Sequence, residues 1–566
     1  MSMQPPQTPA LPHGEQRSFL PDRDLYIFRP ESPLPSLKPV PEEVLKAYAP
    51  SDYKKPGFPR VPLTAQFTPS YLASRLSLGS TLEPFTGLQN FEDFFPPQMY
   101  EPAIIKNYQT DFAFAEQRLS GVNPMVLRRI THITSDFFTQ EDLKKACPSL
   151  RLDEELQKGN IYVADYENLS FVQGGTYKGQ QKYLPKPLAF FHWKQNPGLT
   201  QGELVPLAIQ IHQKPGGSIY TPRDNPMDWF VAKLCVQIAD GNHHEMSSHL
   251  CRTHFVMAPF AIATARKLAI NHPLGLLLRP HLRFLLAVND QGFQLLINPY
   301  VEGTYGGHVD RILAGTLQES LGILKNAYDS WDLGQFEIRT ELKERGLDDV
   351  SQLPHFPYRD DGLPVWEAIE KFVSNFLNYW YPDDEESAGN QKILKDSELQ
   401  DWAKDLVEEG KVKGMPSPIE TVEQLIKIVT NVIFTSGPQH AAVNYPQYDY
   451  LAFVPNVPLA AYKKIPESKG EIPDEAVLME FLPPQEQADA QLKIVNFLSF
   501  YRHDRLGYYD ESFHIAFMGN PHIKLLIQQF QQDLRLIEQE IEVRNRSRYV
   551  PYPYLKPSLI PNSISA

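Results

Sequence analysis

Three histidines spaced five residues apart place the tightest constraint on this chain. His244, His249 and His254 lie in a largely apolar run from Asp228 to Pro280 that also holds His243 and His272. An apolar helix this rich in imidazole is normally buried, and buried imidazoles need partners. In a regular α-helix five residues turn the chain by about 500°, so these side chains would point roughly 140° apart. They converge only if the helix widens locally into a π-bulge, a rare feature concentrated at functional sites. A second pair, His440 and Asn444 in GPQHAAVNYPQYDY, stands at i, i+4 and shares one face without distortion.

The rest of the composition narrows the class. The chain has 566 residues, 42% of them apolar, enough to bury a large core, and a net charge of −14. That acidity argues against nucleic acid or an anionic membrane as the main electrostatic partner. Three cysteines, Cys147, Cys235 and Cys251, make a disulfide framework unexpected and fit a reducing compartment. The opening MSMQPPQTPALPHGEQ has no basic region followed by an apolar core, so no signal peptide is read. No apolar stretch is long enough for a membrane-spanning helix. The expected location is the cytoplasm, with peripheral membrane contact the one membrane mode left open.

Fourteen prolines fall in the first 62 residues, which predicts an extended arm, with one short helix over 41–48. Residues 109–130 read as an amphipathic helix stopped near Gly121 and Pro124. Alternating runs between 160 and 213 predict a small sheet. Helical patterns then fill 311–329, 365–381, 397–408, 419–435, 486–501 and 521–546, and the acidic run Asp383–Glu386 reads as a solvated loop. From Tyr549 to Ala566 the only charged side chain is Lys556, so the tail is of a kind that can thread into a core.

The spacing His244-x4-His249-x4-His254-x17-His272-x8-His281, the HAAVN block at 440–444 and the terminal PNSIS resemble the lipoxygenase signature. SGVNPMVLRR at 120–129 and TPRDNPMDWFVAKLCVQIAD at 221–240 carry the same resemblance, which runs from about residue 100 to the end. It implies a mainly α fold, a large helical catalytic domain with π-bulged metal-bearing helices and a small β subdomain. The expected division is a Pro-rich extension over 1–62 and the catalytic domain over 63–566; too few strand patterns precede residue 100 for an N-terminal β-sandwich. The implied activity is insertion of dioxygen into polyunsaturated fatty acids of the linoleate, linolenate or arachidonate type. Hydrogen abstraction at a metal hydroxide would give hydroperoxides; a hydroperoxide isomerase of the same fold is the alternative.

By the same resemblance, His249, His254 and His440 are imidazole ligands, Asn444 is a weak or distant one, and Ala566 gives its terminal carboxylate. The family usually ends in isoleucine, so here the side-chain anchor of the tail is lost. A nitrogen and oxygen set without thiolate suits iron, or less often manganese, better than structural zinc. His244, His272 and His281 belong to the signature but read as hydrogen-bonded core residues. His243 looks incidental. Glu245 and Gln447 align with a hydrogen-bonded pair behind the ligands. Leu296 and Leu498 fall where the family shapes its channel, and Gly241 where it sets pocket depth. Gly292, eleven residues after His281, stands where the family carries glycine in enzymes giving R products. A zinc peptidase is the rival class, because His244-Glu245 followed by His249 approaches HExxH, but its histidines must stand at i, i+4 and here stand at i, i+5.

Overall fold

The structure is a computed structural model that describes residues 17–30, 32, 34–68, 87–96, 99–195, 202–302, 306–382, 388–500, 504–509 and 520–565. Its centre is one continuous helical rod over 226–267. Asn225 accepts the N–H of Met227 at its start, Pro226 presets the first turn, and nearly every residue along it is buried. A helix buried on all sides is a core helix, and the others are laid around it. They include α1 (Glu42–Tyr48), α2 (Asp111–Ser120), α3 (Leu285–Leu295), α4 (Leu317–Ser330), α5 (Pro357–Trp380), α6 (Val422–Phe434), α7 (His440–Asn444), α8 (Gln485–Phe500) and α9 (Pro521–Ser547). Thr316 with Glu319 and Thr421 with Gln424 close capping boxes that start α4 and α6.

The small sheet has five antiparallel strands in sequence order: β1 (Arg128–Ile130), β2 (Ile161–Asp165), β3 (Leu188–Lys194), β4 (Glu203–Gln210) and β5 (Ile219–Tyr220). Its two faces separate by the two-residue period of a strand. Tyr162, Ala164, Ala189, Phe191 and Trp193 enter the main core, while Ile161, Leu188 and Phe190 join Phe138, Leu143 and Leu152 in a second, smaller core. Pro206 is tolerated inside β4 because the register slips between Phe190 and Phe191, beside the place where it pairs.

The 109–130 pattern resolves into α2, which ends before Gly121, and then β1, a short strand hidden from the helical reading. Part of the proline-rich arm packs into the main core through Tyr26, Phe28, Leu34 and Val61. At the other end Ile560, Asn562, Ser563, Ile564 and Ser565 are all buried. No described helix is long and apolar enough to cross a membrane. The run Asp383–Glu386 and Ala566 lie outside the described residues.

Candidate metal centre

The spacing problem is solved by a π-helix. Residues His244–Phe255 form twelve residues of it inside the central rod, and at its end the Val256 N–H donates to the Cys251 carbonyl five residues back. With i→i+5 bonding each turn holds more residues, so five steps overshoot a full turn far less than in an α-helix and His249 and His254 face the same side. A second π segment, Thr435–Gln439, leads into α7, and the His440 N–H bonds back to the Thr435 carbonyl. The sequence reading had no second distortion near His440, although Pro438, which has no N–H to donate, was its visible sign. Within α7 the pair His440 and Asn444 keeps the regular α-helical spacing.

One ligating nitrogen from each of His249, His254 and His440 lies within 4.8 Å of the others. Their ring centres stand 5.0 to 5.4 Å apart. Among the described residues, five of the six ring nitrogens are buried without a hydrogen-bond partner, which is costly; a neutral imidazole has one lone pair, so a metal could take one nitrogen of each ring. Burial pushes His254 down to about 3, His440 well below the ordinary histidine value, and His249 down against the pull of Glu245. Three neutral imidazoles with orphaned nitrogens are what a metal cation requires of its ligands, so the residues fit a bound metal.

The remaining histidines of the rod have other partners. His244 Nε2 donates to the Val443 carbonyl on α7 at 2.8 Å, tying the two histidine-bearing helices together. His272 bonds Asp396 at 3.0 Å and accepts the Leu274 N–H. His281 reaches the Asn562 carbonyl at 2.9 Å and the Tyr509 hydroxyl at 3.3 Å. His243 is not incidental to the packing. It joins a buried network in which Asn123 and Tyr166 donate to Asp240, Arg118 pairs with Asp240, and Ser248 donates to Asn123. That network pins α2 and the loop after it to the onset of the π segment.

Glu245 and Gln447 do not bond each other among the described residues. Glu245 faces His244 and His249, at 3.5 and 3.8 Å; burial opposes its ionisation, but the two rings outweigh it and hold its carboxyl down at about 2. Gln447 donates to the side-chain and main-chain oxygens of Asn444, at 2.8 and 3.0 Å, and Asn444 donates to the Leu498 carbonyl. The expected pair is replaced by two separate contacts: Glu245 faces the imidazoles of its own helix, and Gln447, just beyond α7, bonds Asn444.

His249 and His254 open on a narrow apolar cavity of about 80 Å³ whose walls include Gly292, Leu296, Ile297, Leu313, Ile494 and Leu498. Gly241 is not on its wall. It lies behind Leu459, whose Cδ2 a β-carbon at 241 would meet at 2.6 Å. A β-carbon at Gly292 would meet nothing within 4 Å. Asn289 also lines this cavity and bonds His254 Nδ1 at 3.0 Å. Nothing in the local sequence marks it, since its partner is 35 residues away. A larger cavity of about 840 Å³ lies by the N-terminal arm, between Tyr26, Arg279, Phe284 and Asn562, and contains none of the three imidazoles.

The lipoxygenase family model matches residues 72–551. The allene oxide synthase-lipoxygenase protein of Plexaura homomalla is 32% identical over 552 residues, covering 89% of this chain and 49% of that protein. Hydroperoxide isomerase ALOXE3 of Rattus norvegicus is 34% identical over 473 residues, covering 82% of this chain and 63% of that protein. The chain therefore spans about half the length of the first and less than two thirds of the second. A solved lipoxygenase in complex with arachidonate superposes with a TM-score of 0.77 and 30% identity, covering 93% of this chain and 81% of that one. With a family match over most of its length, and with His249, His254 and His440 in one buried cluster, the chain belongs to the lipoxygenase family.

Proposed function

We propose that this protein is a dioxygenase that converts a polyunsaturated fatty acid and dioxygen into a hydroperoxide, predominantly of R configuration. The observation that carries the reading is the buried cluster of His249, His254 and His440, five of whose ring nitrogens lack a hydrogen bond among the described residues, beside an apolar cavity. These three imidazoles would hold iron, which suits a nitrogen and oxygen donor set better than structural zinc. Asn444 and the terminal carboxylate of Ala566 are proposed as the oxygen ligands. When bound, the metal supplies the one-electron chemistry that takes a hydrogen from a bis-allylic methylene. The chain's own residues do the rest. Leu296, Ile297 and Leu498 keep the acyl chain away from water, and Gly292 leaves one end of the pentadiene open to dioxygen.

The test is oxygen consumption with linoleate or arachidonate, read together with conjugated-diene absorbance and metal content. About one iron per chain and uptake matching product are expected. His440→Ala should lose both metal and uptake, and full metal occupancy in that variant would sink the ligand assignment. A second reading has support in the 34% identity to a hydroperoxide isomerase. Consumption of added hydroperoxide, with no oxygen uptake from the parent fatty acid, would replace the first reading with that one.

A further inference from the structure

We propose that Asn289 is the positioning residue of the metal centre: it fixes the tautomer and aim of His254, and it does so from the helix that lines the channel. The inference rests on His254 being a ligand. His254 Nδ1 lies 3.0 Å from Asn289 Oδ1, and Asn289 Nδ2 lies 3.2 Å from the main-chain carbonyl of the same His254. The two contacts resolve each other. A carbonyl only accepts, so the amide nitrogen must face it, which leaves the amide oxygen on the ring. An oxygen that only accepts then requires a proton on Nδ1. The lone pair therefore sits on Nε2, the nitrogen that is buried and unpartnered.

The π segment ends at Phe255, and the Asn289 amide donates to the His254 carbonyl at that end. Among the described residues, His254 has a hydrogen-bonded second nitrogen, whereas both nitrogens of His440 lack such a partner and His249 Nδ1 faces Glu245 at 3.8 Å. A ligand whose far nitrogen is held in this way is oriented before the metal arrives, and such contacts typically contribute about 10–100-fold in metal affinity or activity.

Asn289 is itself held. It stands on α3, one turn before Gly292, and both line the cavity. From the opposite side the N-terminal arm grips α3: Arg60 donates to Asp290 through its main-chain N–H at 2.6 Å and Nη2 at 2.9 Å. Gln291 and Gln294 reach the carbonyls of Gly57 and Phe58. One short helix thus carries the residue that aims a ligand and the residue proposed to direct oxygen.

The experiment is a titration of metal-free protein with Co(II) alone, following the visible ligand-field spectrum in competition with a chelator, for wild type, Asn289→Leu, Asn289→Ala and Asn289→Asp. Leu and Ala remove the acceptor, so affinity should fall about 10–100-fold and the Co(II) spectrum should change. Asp keeps the acceptor and should restore affinity toward wild type even though it cannot donate to the His254 carbonyl. Wild-type affinity and spectrum in both Leu and Ala would overturn the proposal, as would equal losses in Asp and Ala, which would mark a purely structural role. If Leu does not fold, the Ala and Asp pair decides. Wild-type protein that binds no Co(II) would instead overturn the ligand assignment of His254 beneath it.

Discussion

At the scale of single residues, the decisive contrast is between Gly241 and Gly292. Both are glycines near the cavity, and both are candidates for control of product. Adding a β-carbon at Gly241 drives it into Leu459 at 2.6 Å and Val457 at 3.1 Å, so its smallness serves close packing behind the wall. At Gly292 the same atom enters open space on the wall itself. A methyl group there costs little stability and changes only what the cavity presents to a ligand. Gly292→Ala is therefore expected to fold with a wild-type melting midpoint while shifting the product from mainly R toward S at a different carbon. Chiral chromatography of the hydroperoxides checks it. A wild-type product of S configuration, or a product unchanged in Gly292→Ala, would remove stereocontrol from this residue and leave the metal assignment untouched.

At the scale of elements, the second π segment and the buried tail are fitted to each other. A β-carbon on Gly437 would stand 2.9 Å from the Pro561 carbonyl oxygen, closer than such contacts allow. The tail has little freedom to retreat. Asn562 bonds Asp504 through its main-chain and side-chain nitrogens and accepts the Gly507 N–H, the Leu506 N–H bonds the Ile560 carbonyl, and His281 holds Asn562 from below. Gly437→Ala should therefore cost about 1–3 kcal/mol, as overpacking does, and should weaken metal retention because His440 is three residues away. Thermal melting with metal analysis tests this, and unchanged values in both would show that the tail yields freely. The histidine repeat and the HAAVN helix were legible because their geometry is local: i+5 spacing on an apolar helix has few resolutions. The Asn289 contact, the Glu245 and Gln447 partners, and the fit of Gly437 to Pro561 were not, because each is made between segments far apart in sequence. The proline-rich arm was readable as extended chain, but its irregularly spaced anchors Tyr26, Phe28 and Val61 gave no period to follow.

At the scale of the whole molecule, the cluster is where segments far apart in sequence meet. His249 and His254 come from the central rod and His440 from the 435–444 region, which the tail crosses at Gly437. Among the described residues this junction holds five buried nitrogens lacking hydrogen-bond partners; a metal could take three of them, one lone pair from each ring, and each is a desolvated group of the kind that costs about 1–3 kcal/mol. The bonds from His244 to Val443 and from Gln439 to the Arg252 carbonyl hold the two helices together in any case, so the fold does not depend on metal alone. A metal that binds only the folded arrangement then stabilises it by mass action, about 2.7 kcal/mol at a free concentration one hundred times Kd and about 4.1 kcal/mol at one thousand times. Chelation should therefore lower the thermal midpoint without abolishing the cooperative transition, and restored metal should raise it in proportion to the logarithm of concentration. In His440→Ala the same addition should move the midpoint far less, because one of the three imidazoles is gone. Scanning calorimetry across a metal series decides it: a midpoint independent of metal in the wild type would mean that the junction is stable with its nitrogens unsatisfied, and that the three histidines are not a metal site.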